Sequence, residues 1–147
     1  MRIIIQRVLS GGVSINGAQT LTIQQGVVCL FGAGEGDDIT MASKLAYKTA
    51  NLRIFEDDDG KMNRSAAELG LDVLAVPNFT LYADTKKGLR PSFARAADPA
   101  VAKPLFEAFV EALRGYSLGA IIAGEFGADM RVDIVNDGPV TVILDTD

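Results

Sequence analysis

Apolar positions run in short blocks or alternate with polar ones over most of this chain, and twice the spacing shifts to a helical period. Arg2–Leu9 reads as a strand dominated by β-branched residues, and Gly11-Gly12 and Asn16-Gly17 read as turns, the second suited to a tight hairpin. Thr20–Ile23 and Gly26–Ala33 follow as strands, until Gly32-Ala33-Gly34-Glu35-Gly36 breaks the pattern. Asp38–Asn51 is helical, with Asp38 as its cap and Met41, Leu45, Lys48 and Leu52 recurring along it. Arg53–Glu56 is a short strand, Asp57–Gly60 a turn, and Leu71–Val76 an apolar strand. Ala83–Ala97 shows no periodicity and is long for a purely structural connection. A second helix opens at Asp98-Pro99, a capping residue followed by proline, and ends at Gly115. Leu105, Phe106, Phe109, Val110 and Leu113 form its apolar face, and Pro104 predicts a kink or a separate first turn. Leu118–Ala123, Met130–Val135 and Val140–Leu144 complete the chain as strands, the last two joined by a hairpin at Asn136-Asp137-Gly138. This order predicts an α+β protein of mostly antiparallel sheet, with helices packed on one side, in a single domain over residues 1–147.

Composition narrows the chemistry. The chain has 147 residues, is 48% hydrophobic and 22% charged, and so has the balance of a globular domain. No apolar run approaches the ~18 residues of a membrane span, and the N-terminal apolar run is too short for a signal peptide, so the expected location is cytoplasmic. The single cysteine, Cys29, lies in an apolar strand and reads as a small buried hydrophobe. The chain has no histidine, which excludes a Ser-His-Asp triad, a Cys-His pair and every histidine-bearing metal site. Its net charge of −5 argues against broad contact with a phosphate backbone but leaves contact with one end of a nucleic acid open. Lys86, Lys87, Arg90 and Arg95 form a local basic cluster inside the long loop, read either as a solvated loop or as such a contact.

Two tempting motifs fail on chemistry. Gly32–Gly36 lacks the Lys-Ser/Thr of a phosphate loop and runs into Glu35, Asp37 and Asp38. Asp57-Asp58-Asp59-Gly60 lacks the alternating ligands and distal glutamate of a calcium loop. Two segments remain. Pro77-Asn78-Phe79-Thr80-Leu81 joins a strand to the long basic loop, and its Thr80 is a hydrogen-bonding group or, with no base beside it, a weak nucleophile. Asn136-Asp137-Gly138-Pro139-Val140-Thr141 contains an X-Pro bond at which a cis form is cheap.

Across its whole length the chain resembles the D-aminoacyl-tRNA deacylase family. The resemblance rests on Met1-Arg2, Gln6-Arg7-Val8, Ala50–Asp57, Gly60–Asn63, Phe79–Thr85, Gly88, Arg90–Phe93, Phe126–Met130 and Asn136–Thr141, in family order and at family spacing. It implies a homodimer without cofactor or metal that hydrolyses the ester of D-aminoacyl-tRNA, and of glycyl-tRNA, at sites on the subunit interface. Pro77, Asn78, Phe79 and Thr80 would line the catalytic centre, where backbone N–H groups stabilise the oxyanion while the substrate's own ribose hydroxyl helps activate water. Gly138-Pro139, cis in the family, would reach into the partner's site and exclude L side chains by clash. Lys86, Lys87 and Arg90, together with Phe126 and Met130, would contact the tRNA end. The family's first motif opens with Ser-Gln where this chain has Pro77-Asn78, which removes a hydroxyl and a backbone N–H. Proline there resembles a sister branch that holds its Gly-Pro trans and clears L-alanine from mischarged tRNA. A non-catalytic binder of charged tRNA ends is the other alternative.

Overall fold

The computed structural model describes residues 1–146. Its strands are β1 (Arg2–Ile15), β2 (Leu21–Ile23), β3 (Gly26–Gly32), β4 (Phe55–Glu56), β5 (Met62–Arg64), β6 (Asp72–Pro77), β7 (Ile121–Ala123) and β8 (Met130–Asp145). Its helices are α1 (Ile39–Asn51), α2 (Ala66–Leu69) and α3 (Pro99–Leu113), with a 3-10 turn at Phe79–Tyr82. The main sheet runs β2-β1-β3-β6-β7, and β8 pairs with the other edge of β1. The pairs of β1 with β2, β3 and β8 are antiparallel, whereas β3–β6 and β6–β7 are parallel.

Period-two alternation sorts the side chains into two cores. Ile3, Ile5, Val27, Cys29, Phe31, Val73 and Ala75 face α1 and α3, where Leu45, Phe106, Phe109 and Leu113 close the larger core. Val28, Leu74 and Val76 face the other way and meet Val8, Val13 and Ile23, with Met130, Val132 and Ile134 from the far half of β8. The sheet thus folds over itself, giving helix, sheet and sheet layers. β3 and β6 are covered on both faces, which explains their unbroken apolar runs.

The local signals at the helix starts hold. Asp38 accepts from the Met41 N–H at 2.9 Å, and Asp98 from the Ala100 N–H at 2.8 Å with Pro99 at the first helical position. Three expectations change, and one stretch left without a reading takes on structure. Gly11-Gly12 is not a turn but lies inside β1, paired with β2 on one edge and β8 on the other. Met130–Val135 and Val140–Leu144 are one strand, because Asn136-Asp137-Gly138 forms no hairpin and is instead an irregularity in β8 opposite Arg7. Pro104 does not interrupt α3, which runs from Pro99 to Leu113 although residue 104 has no N–H to donate to the carbonyl of Ala100. β5 and α2 occupy a stretch with no clear periodicity, and Ser65 caps α2 by accepting from the Glu68 N–H at 3.1 Å.

Candidate functional site

β6 ends at Pro77, and the chain turns at once into the 3-10 turn. The Asn78 N–H donates to Phe31 O at 2.7 Å, anchoring the start of the turn on β3. Neighbouring N–H groups in a strand point to opposite sides, so the one that Pro77 lacks would have faced β7. The Gly124 N–H still donates to Ala75 O at 2.8 Å, so the parallel ladder ends where Pro77 has no N–H to offer the next rung, and the proline ring lies close to Gly124. The Thr80 hydroxyl bonds to Asn78 Oδ1, and Leu81 N–H and Ala83 N–H close the turn on Asn78 O and Thr80 O at 3.3 and 3.0 Å. The N–H groups of Phe79 and Thr80 begin the turn and take no partner among the described residues.

Beside these two donors opens a cleft of about 520 Å³ lined mostly by apolar groups, including Pro77, Phe79, Phe93, Ala97, Phe126 and Gly127. Phe79 is 54% exposed and meets Phe93 edge to face, with centroids 5.0 Å apart. Three stretches far apart in sequence thus build one surface. Phe126 belongs to it. Met130 does not line it but packs on the inner core, with its sulfur close against Gly124. Phe93 and Ala97 are cleft residues that residue type did not single out, although both lie in the long aperiodic loop.

That loop is more ordered than its composition implies. Asp84 and Ser92 exchange two backbone hydrogen bonds at 2.8 Å, and Asp84 Oδ1 accepts from the Lys86 N–H at 2.9 Å. Lys86, Lys87 and Arg90 therefore project from a closed tip, all exposed, with a fully exposed Leu89 among them.

Gly138-Pro139 lies elsewhere. The bond is cis. The two residues bulge from β8 opposite Arg7, between the pairs Asn136↔Val8 and Thr141↔Gln6, and both are exposed. Asn136 Nδ2 bridges the bulge to Arg7 O and Val140 O at 2.9 and 3.0 Å. The buried Arg7 guanidinium donates to Ile54 O at 2.7 Å and pairs with Asp137 at 3.2 Å. The register places Arg7 beside Val27, whereas Pro77 sits beside Phe31. Within one protomer the bulge is therefore roughly 13 Å along the strands and three strand spacings, roughly 14 Å, across from the 3-10 turn.

Cys29, the one thiol, is fully buried in β3, and burial pushes it far above its ordinary value, out of reach of catalysis. No group of three or more acidic, cysteine or histidine side chains is placed to hold a metal among the described residues. No helix among them is long and apolar enough to cross a membrane.

Residues 4–145 match the family model described as D-Tyr-tRNA(Tyr) deacylase. A D-aminoacyl-tRNA deacylase of Roseiflexus castenholzii is 50% identical over 146 residues, covering 99% of this chain and 92% of that protein. One from Thermomicrobium roseum is 50% identical with 99% and 94% covered. Among solved structures, a c-Myc DNA unwinding element binding protein superposes with a TM-score of 0.92 at 36% identity, covering 100% of this chain and 99% of that one. A second, described as a probable eukaryotic D-amino acid tRNA deacylase, gives 0.82 at 17% identity with 97% of each covered, a likeness of fold.

Proposed function

From a chain that belongs to the D-Tyr-tRNA(Tyr) deacylase family, we propose a D-aminoacyl-tRNA deacylase whose 3-10 turn holds the oxyanion while an aromatic cleft holds the end of the tRNA. The observation that carries this reading is the placement of two unpartnered N–H groups, on Phe79 and Thr80, beside a cleft walled by Phe79, Phe93 and Phe126. A terminal nucleotide presents a flat base to stack on such rings, which sets its ester carbonyl near donors fixed in advance. As water adds to the carbonyl carbon, negative charge collects on the carbonyl oxygen and the N–H pair stabilises it. The ribose oxygen then leaves with a proton, giving free amino acid and free tRNA. No histidine is needed, because the ester is already activated and the vicinal ribose hydroxyl can assist the attacking water. Thr80 serves as a donor to Asn78 in this scheme and not as a nucleophile.

Lys86, Lys87 and Arg90, on the closed loop tip, are the cations for phosphates of the acceptor end. The charge of −5 confines RNA contact to such a patch. A second copy supplies the gate. Gly138-Pro139 is too far from Thr80 to serve the same protomer's site, so its role in rejecting L side chains requires a homodimer. The outer edge of β8 is unpaired among the described residues, and Ile143, Val135 and Leu9 remain exposed there and on β1, an apolar surface that a second copy would cover. Glycine, lacking a side chain to clash, would also be accepted. A substrate made during translation sets the work in the cytoplasm.

The test is hydrolysis of D-Tyr-tRNA beside L-Tyr-tRNA by the purified protein at low enzyme concentration. Release from the D form alone is expected. No release from either would overturn the reading, and release of L-alanine from a mismatched tRNA in its place would assign the chain to the sister branch.

A further inference from the structure

Backbone donors stabilise an oxyanion only while the turn that carries them stays fixed, and one side chain outside the motif is placed to fix it. Arg2 opens β1, level with Gly32 on one side and Asp145 on the other. Its Nη1 donates to Leu81 O, inside the 3-10 turn, at 3.2 Å. Its Nε and Nη2 both donate to Asp145 Oδ2, at 2.8 and 2.6 Å, and its guanidinium carbon lies 5.6 Å from the centroid of the Tyr82 ring. One planar fork thus touches two consecutive residues of the turn while a carboxylate from the end of β8 sets its orientation.

A half-exposed ion pair on its own contributes little, so an Arg2–Asp145 bridge would be unremarkable. The bond to Leu81 O makes the difference. Carbonyls near the end of a helical turn lack internal partners and carry the negative end of its dipole, so a cation there both satisfies a carbonyl and resists fraying. At its start the turn is tied by Asn78 N–H to β3. At its end Arg2 provides a charged side-chain tie.

We infer that Arg2, oriented by Asp145, is a positioning residue for ester hydrolysis, holding the Phe79–Tyr82 turn so that the N–H groups of Phe79 and Thr80 face the forming oxyanion. This rests on the reading of those groups as oxyanion donors. Arg2→Met should lower the single-turnover rate on D-Tyr-tRNA about 10–100-fold, the scale of a small misplacement of reacting groups. The Kd of a non-hydrolysable D-tyrosyl-adenosine analogue should change little, and Arg2→Lys, which keeps the charge and a donor, should recover part of the rate. An unchanged rate in Arg2→Met overturns the inference, as does a loss matched by an equal loss of affinity or one that lysine does not relieve. If Arg2→Met does not fold, Arg2→Lys against the wild type carries the same comparison, with a smaller loss of rate expected and none overturning it. Amide hydrogen exchange at Leu81 and Ala83, whose N–H groups close the turn, supplies a readout without substrate. Faster exchange is expected in the variant, and unchanged exchange overturns the positioning role. A wild type that hydrolyses no D-aminoacyl ester would instead count against the proposed function, and the exchange experiment would still decide this inference.

Discussion

Tyr82 fills the space that a side chain at Gly34 would need. A Cβ built on Gly34 would lie 2.6 Å from Tyr82 Cε1 and 2.8 Å from its hydroxyl oxygen. Tyr82 is buried and ends the 3-10 turn, so the glycine-rich stretch after β3 serves the site by leaving room for this ring, not by cradling a phosphate.

Gly34→Ala should therefore displace the ring and the turn with it. Overpacking of this kind costs about 1–3 kcal/mol. Thermal unfolding should show that loss, and the rate on D-aminoacyl-tRNA should fall alongside. Tyr82→Leu in the Gly34→Ala background should regain part of the stability, because it removes the atoms in conflict. Losses that simply add would mean that the two residues do not meet as the geometry requires.

The aromatic cleft makes a separate claim about binding. Stacking of one base on an aromatic ring is worth roughly 1–3 kcal/mol, so Phe93→Ala should raise KM for aminoacyl-tRNA about 5–100-fold. The Phe93 ring is partly exposed and touches Phe79 from the side, so the fold should tolerate its loss. The single-turnover rate at saturation should stay close to wild type. A fall in that rate with KM unchanged would place Phe93 with the oxyanion donors and not with the base.

What could be read along the chain was whatever depends on near neighbours. Asp38 and Asp98 cap their helices within three residues, and the apolar faces of α1 and α3 follow from spacing alone. The misread turns share a cause. Gly11-Gly12 and Asn136-Asp137-Gly138 carry turn chemistry, yet each lies in a strand because β1 and β8 pair along most of their length, and that pairing is decided between residues more than a hundred positions apart. The site divides the same way. Phe79 and Thr80 stood out by motif, whereas Phe93 joins them only because Asp84 and Ser92 close the loop, and Arg2 only because β1 delivers it beside Leu81. Residue type gives no hint of either meeting.

Thr80 separates two chemistries. If its hydroxyl were the nucleophile, Thr80→Ala would abolish turnover. Its hydroxyl bonds to Asn78 Oδ1, and the backbone N–H of residue 80 survives the substitution. The expected loss is that of one hydrogen bond, about tenfold or less in rate. Thr80→Ser should be close to wild type. Full loss in a well-folded Thr80→Ala protein, by single-turnover assay, would rule out a backbone-led mechanism.

The acidic turn between β4 and β5 gives a pH signature independent of catalysis. The Asp57 carboxylate accepts from the Lys61 and Asp59 N–H groups at 3.0 and 2.9 Å and from Asn63 Nδ2 at 3.3 Å. These bonds favour the charged form, the Lys61 N–H foremost, and hold the group below its ordinary 3.8. The folded state thus binds this proton less readily than the unfolded state does. The resulting stabilisation is complete above 3.8 and is lost as pH falls through the lower folded value. Asp57→Asn keeps an acceptor oxygen but cannot titrate. In urea unfolding the wild type should be the more stable of the two at about pH 5, and the difference should shrink towards about pH 3. A difference that stays constant over that range would mean that the bonds to Asp57 do not discriminate between its protonation states.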